Sequence, residues 1–220
     1  RSRGDVKACA YMLSEILDGR IEGEMGAAWE ALKWLEKGGK ELCEIEPELC
    51  ERTVKICAQN ALLISSKEPE RALTLMERVG ICSGEEYGTV CLEMALSCMN
   101  TDKKRAAGYL KTASQQGIVQ GKQLYAEYLL SEENDEKSKM EGIELLSELA
   151  EQGKEDAAFY LAELYYRGKI VEADYEKSVY YYEKIPAPQE YINYPRAAYL
   201  LAKLKREAKE WKEAFRLCTI

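Results

Sequence analysis

The stretch Leu149-Ala150-Glu151-Gln152-Gly153-Lys154-Glu155-Asp156-Ala157-Ala158-Phe159-Tyr160-Leu161-Ala162-Glu163-Leu164-Tyr165-Tyr166-Arg167-Gly168, with Val171, Asp174, Lys177 and Ser178 after it, decides the fold. Ala157, Leu161, Leu164 and Tyr165 recur at helical spacing, as do Ser178, Tyr181 and Tyr182, and Gly168 and Asp174 punctuate between them. The spacing predicts two antiparallel helices. Ala162 and Ser178 are small where the two would cross, which lets the backbones approach closely. Asp174 is placed to accept from the orphan amides of the second helix's first turn. A lone hairpin of this kind cannot bury both faces, so copies must stack.

Copies are found by working outward. One small residue in each second helix lines up at Ala28, Ala72, Ala106, Gly142, Ser178 and Ala214, with spacings of 44, 34, 36, 36 and 36. Four residues earlier stand Glu24, Glu68, Asp102, Ser138, Asp174 and Glu210, at the expected helix starts. The first helices align around Leu13, Ala58 or Ala61, Ala95, Ala126, Ala162 and Ala202. From first-helix to second-helix position is 15 or 16 residues in the first, fourth and fifth copies, and 11 or 12 in the third and sixth.

The order of Ala150, Gly153, Ala157, Leu161, Ala162, Tyr165, Gly168, Val171, Asp174 and Lys177 resembles the Sel1-like repeat, and the shorter copies resemble its relative, the tetratricopeptide repeat. Ile170 stands where that family has a second glycine, and Ser178 where it has alanine. The resemblance implies an all-α, right-handed superhelical solenoid of about six helix-turn-helix repeats, with eleven or twelve helices. Residues 1–220 are expected to form one such domain, with repeats at about 5–39, 47–80, 84–117, 118–153, 154–188 and 194–220.

Local signals mark the joints. Gly39, Gly80, Gly117 and Gly153 close copies, as residues that reach the left-handed region past a helix end. Pro47 and Pro69 suit first helical turns, with Lys40 to Glu46 expected as a connector. Ser83-Gly84-Glu85-Glu86 has the pattern of a capping box. Pro186 and Pro188 stop the fifth copy, and Tyr194-Pro195 opens the sixth, which ends on Phe215, Leu217 and Ile220. That apolar end predicts self-association through the C-terminal helix or continuation into further chain. The opening Arg1-Ser2-Arg3-Gly4, without an initiating Met, carries the same expectation of a longer parent protein.

Composition narrows the function. The net charge of −8, from 39 acidic and 31 basic residues, repels phosphate backbones and anionic lipid surfaces at long range, so neither nucleic acid nor membrane is an expected partner. No apolar run approaches the ~20 residues that cross a bilayer. Histidine is absent, which removes serine–histidine and cysteine–histidine nucleophile pairs, histidine metal sites and the commonest general base. There is no Cys-x-x-Cys and no glycine-rich phosphate loop between a strand and a helix. A protein that is not an enzyme, with no cofactor and no metal, is the expectation.

The eight cysteines are expected to be reduced and buried, in a cytoplasmic protein. Cys50 and Cys57 are seven residues apart, as are Cys91 and Cys98, which is about 10 Å along one helix and beyond the ~7 Å limit for a bridge.

Ten of the 15 tyrosines lie between Tyr160 and Tyr199. Tyr165 and at least one of Tyr181 and Tyr182 are expected in the core, but Tyr180, Tyr181 and Tyr182 span about 200° of a helix and cannot share one partner. In tetratricopeptide-type scaffolds the first helix of each hairpin lines the concave face. That likeness places Gln123, Glu127 and Leu130, then Phe159, Glu163 and Tyr166, then Tyr199 and Lys203 on a groove for a peptide or partner helix. The two carboxylates favour a basic partner. Asn100, Asn134 and Asn193 fall in turns, leaving Asn60 as the one helical asparagine, so the carboxylate-clamp type of groove is not expected. The competing function is a regulatory or oligomerisation module packed on an enzymatic domain of the same parent protein.

Titration of the denatured chain should count eight thiols, and reductant should leave the melting temperature unchanged. A structural disulfide would instead reveal itself as a loss of about 2–5 kcal/mol on reduction.

Overall fold

The computed structural model describes residues 3–20, 26–131, 134–185 and 194–210. Among them are eleven helices and no strand: α1 (Arg3–Leu17), α2 (Ala27–Ile45), α3 (Pro47–Ile64), α4 (Pro69–Arg78), α5 (Glu85–Cys98), α6 (Lys103–Gln115), α7 (Val119–Leu129), α8 (Glu136–Glu151), α9 (Glu155–Arg167), α10 (Tyr175–Glu183) and α11 (Tyr194–Glu207). The helices form two compact units, residues 1–121 and 122–220.

In the first unit, α1 packs on α2, α3 on α4 and α5 on α6, while the first helices α1, α3 and α5 also touch in turn. Val6, Cys9, Leu13 and Ile16 form one stripe of α1 and are buried against Ala31, Leu42 and Cys50. Ala28, Ala72 and Ala106 are all buried, as the hairpin crossings require. Cys57 Sγ donates to the Ala28 carbonyl at 3.4 Å, tying α3 to the preceding helix.

The second unit repeats the device at shorter range. Gly142 of α8 lies so close to α7 that a Cβ there would stand 2.9 Å from the Ala126 carbonyl oxygen. Ser178 of α10 donates through Oγ to the Ala162 carbonyl of α9 at 2.9 Å. The serine in place of alanine thus gains a hydrogen bond while staying small enough for the crossing. Leu146, Leu149, Leu161, Tyr182 and Leu201 join these helices in one core.

Caps fall largely where the pattern places them. Asp102 accepts from the Arg105 amide at 2.9 Å and Asp174 from the Lys177 amide at 3.0 Å. Gly80, Gly117 and Gly153 have φ of 82°, 85° and 79°, and the amides of Ile81, Ile118 and Lys154 return to Met76, Ala113 and Leu149. These are Schellman closures. The turn after α9 is also tight despite Ile170: Gly168 is left-handed, a Cβ on it would meet Ala173 at 2.8 Å, and the Asp174 amide donates to Tyr165 O at 3.0 Å.

Three joints differ from the sequence reading. Lys40 to Ile45 is helical rather than a connector, because α2 resumes after a break at Gly39 (φ 63°, ψ −157°). No capping box forms at Ser83; Gly84 is the N-cap, and its amide donates to Gln116 Oε1 at 2.6 Å. The cap of α8 is Asp135, which accepts from the Ser138 amide at 2.8 Å, so Ser138 sits inside the helix.

All seven described cysteines are free: Cys9, Cys50, Cys57, Cys91 and Cys98 are buried, whereas Cys43 and Cys82 are exposed. Burial pushes the Cys57 thiol up to about 12 and the Cys91 thiol to about 11, so neither is nucleophilic at neutral pH. Ala214, Phe215, Leu217, Cys218 and Ile220, like Glu24, Pro186 and Pro188, lie outside the described residues.

Two stability outcomes follow from these contacts. Ala106→Leu or Gly142→Leu should cost about 1–3 kcal/mol by chemical denaturation. The control, Gly108→Ala on the open side of α6, where an added Cβ meets nothing within 4 Å, should instead stabilise by up to about 1 kcal/mol. Asp174 is held below the usual carboxylate range, first by the Lys177 amide, so its contribution is complete above the unfolded-state pKa and is lost as pH falls through the lower folded value. Asp174→Ala should therefore melt below the unmodified protein at neutral pH, and the gap should close in acid; a gap that widens in acid would exclude the cap.

Candidate functional site

The residues expected on the first-helix face all belong to the second unit. On α7, Gln123 Nε2 donates to Glu127 Oε1 at 3.1 Å, and both side chains are half-buried. Leu130 is a correction: it is only 1% exposed and packs in the core below this face. It follows α7 by one residue and lies against Gly142, where the close helix crossing draws it inward.

On α9, Phe159, Glu163 and Tyr166 are half-buried. Phe159 meets Tyr182 of α10 edge to face, with ring centroids 6.1 Å apart. Glu163 is engaged on both oxygens: Tyr182 Oη donates to Oε1 at 3.1 Å, and Arg167 pairs with Oε2 at 2.5 Å. Tyr182 is nearly inaccessible, so its hydroxyl needs an acceptor, and the Glu163 carboxylate supplies one. The role of Glu163 is thus partly structural, and Arg167 offsets its charge.

Helix α11 adds Tyr199, which is 67% exposed, and Lys203. Lys203 Nζ donates to Tyr166 Oη at 2.6 Å and lies over its ring, 5.4 Å from the centroid. That hydrogen bond raises the Lys203 pKa above the usual lysine value. Tyr166 also leans on Tyr175, at 6.2 Å between centroids. On the other side, the Tyr160 phenol is pushed up by burial first and then by the charge of Glu127 on α7. The Lys203–Tyr166 contact therefore links the faces of α9 and α11.

Of the clustered tyrosines, Tyr182 is core and Tyr180 is 49% exposed. Tyr165 and Tyr181 stack between them, 6.0 Å apart and within 4° of parallel.

Sequence reasoning passed over the pocket at the end of α9. Its volume is about 290 Å³, and its walls are Phe159, Tyr160, Glu163, Leu164, Arg167, Lys169 and Ile170. The α9 residues form one stripe along the helix. Gly168 then turns the chain back, so that Lys169 and Ile170 close the pocket's end. The signal available in the sequence was the Glu163/Arg167 pair at i, i+4 and an isoleucine in place of a loop glycine.

Among the described residues no group of three or more His, Cys, Asp or Glu is placed to hold a metal ion. No helix among them is long and apolar enough to cross a membrane.

No protein-family model matches the chain, and no curated protein matches it. Among solved structures it is similar to the crystal structure of a Sel1 repeat protein from Oxalobacter formigenes, at 17% identity and a TM-score of 0.57. The match covers 98% of this chain and 61% of that one. Stacked hairpins, small residues at the crossings and this likeness over nearly the whole chain agree: the protein has the Sel1-like repeat fold, an all-α solenoid of helix-turn-helix repeats.

Proposed function

We propose that the protein is a non-catalytic interaction scaffold, one repeat domain whose first-helix face on α7, α9 and α11 holds a peptide or a helix of a partner protein. The observation that carries this reading is the half-exposed aromatic and polar face on these helices. Tyr199 stands 67% exposed beside the Tyr166–Lys203 pair, and tyrosine is enriched at binding surfaces. A repeat scaffold offers such a face by construction, since successive first helices align into a continuous surface.

The charge of the face is more balanced than its residue types suggest. Glu127 remains a source of attraction for a basic segment, whereas the Glu163 charge is compensated by Arg167. Long-range attraction to a basic partner therefore rests on the α7 side.

The test is capture of partners by the immobilised protein, with variants read against a control on the opposite side of a hairpin. Tyr199→Ala and Tyr166→Ala should release the partners that the unmodified protein retains, since truncating an aromatic anchor commonly costs about 2 kcal/mol or more. Glu127→Gln should mainly reduce the salt sensitivity of binding. Met140→Ser, at an exposed position of the second helix α8, should retain the same partners. The opposite pattern, with loss in Met140→Ser and retention in Tyr199→Ala, would move the interface to the second-helix side.

A further inference from the structure

We infer that the pocket at the end of α9 is an anchor site for an aromatic side chain followed directly by an acidic residue within a bound peptide; the inference rests on the first-helix face being the peptide surface. Its volume of about 290 Å³ lies at the lower edge of the ~300–1,000 Å³ typical of small-molecule sites, which suits one large side chain rather than a cofactor. Phe159, Tyr160, Leu164 and Ile170 give it apolar and aromatic walls. An aromatic ring entering there buries a large area and meets other rings in the offset or edge-on geometries they favour.

Charge selects the neighbouring residue. Glu163 in the wall is taken up by Tyr182 and Arg167, so a cation entering the pocket gains little from it. Lys169 on the rim is exposed and has no carboxylate partner among the described residues. The Arg167 side chain beside it is 52% exposed even while paired. Among the described residues the rim is therefore net positive, immediately next to Ile170 in the wall, and it complements a carboxylate one residue from the anchor. Gln123 and Glu127 on α7 and Tyr199 and Lys203 on α11 belong to the proposed first-helix face, of which the α9 pocket is one part. A chain lying on this face continues past the pocket in both directions, so the carboxylate is that of an internal acidic side chain rather than a chain end.

The test is a titration of the isotopically labelled full chain, followed by amide chemical shifts, with four capped dipeptides. These are acetyl-tryptophyl-glutamate amide, the matching glutamine and lysine amides, and acetyl-tryptophyl-glutamine as the free acid. Shifts should concentrate at residues 159–171, and the glutamate amide should bind roughly two- to fivefold more tightly than the glutamine amide, the range of an exposed ion pair. The lysine amide should be weakest. Lys169→Glu, a substitution at an exposed position, should reverse the order of the glutamate and lysine amides. Equal binding of the glutamate and glutamine amides, shifts centred elsewhere, or preference for the free acid would each overturn the assignment. If the dipeptides leave residues 159–171 unmoved while Tyr199→Ala still releases partners, the anchor site falls and the broader surface stands. If the dipeptides bind in the expected order while Tyr199→Ala retains every partner, the pocket stands and the broader surface falls.

Discussion

Close approach of backbones at small residues is the constraint on which the second unit depends. A helix pair normally keeps its axes about 8–10 Å apart, and side chains at the crossing set where in that range it falls. At Gly142 there is no side chain, and the Ala126 carbonyl occupies the space a Cβ would need. At Ser178 the side chain is small and turns the approach into a hydrogen bond with the Ala162 carbonyl. Both contacts join residues 16 apart in sequence, from first helix to second. The 16-residue offset thus reflects one helix, one turn and the return to a fixed meeting point within the hairpin.

The candidate face inherits its geometry from these crossings. With α9 and α10 held close, Tyr182 is driven into the core, and its hydroxyl must find an acceptor there. Glu163 provides it, and its remaining oxygen takes Arg167. A buried tyrosine on one helix therefore fixes a carboxylate, and through it a guanidinium, on the outer side of its neighbour. The charge balance of the face is in this sense a consequence of core packing.

Much of the fold was legible because the signals are local. Asp102 and Asp174 act as caps, Gly80, Gly117 and Gly153 close helices, and the five described small residues at the crossings are all buried. What the sequence did not yield are features decided by contacts distant along the chain. Gly84 rather than Ser83 is the N-cap of α5, and its amide is satisfied by Gln116 from 32 residues away. Leu130 has the helical spacing of a face residue, but the close crossing at Gly142 draws it into the core. Glu163 reads as a surface charge until its partner Tyr182, 19 residues on, is placed. For the candidate residues the helices that carry them were legible, while the pocket was not, since it depends on where the chain goes after Gly168.

The distribution of thiols turns part of the molecule into a recorder of its own motions. Cys9 lies in α1, Cys50 and Cys57 in α3, and Cys91 and Cys98 in α5, all buried. Each is shielded from an alkylating reagent unless its own hairpin opens. In stacked repeats, opening proceeds in cooperative blocks with different free energies rather than everywhere at once. The order in which these five sulfurs acquire a label would therefore rank the first unit's hairpins by local stability, with exposed Cys43 and Cys82 setting the unprotected rate. The probes for such a map are already present as ordinary core residues.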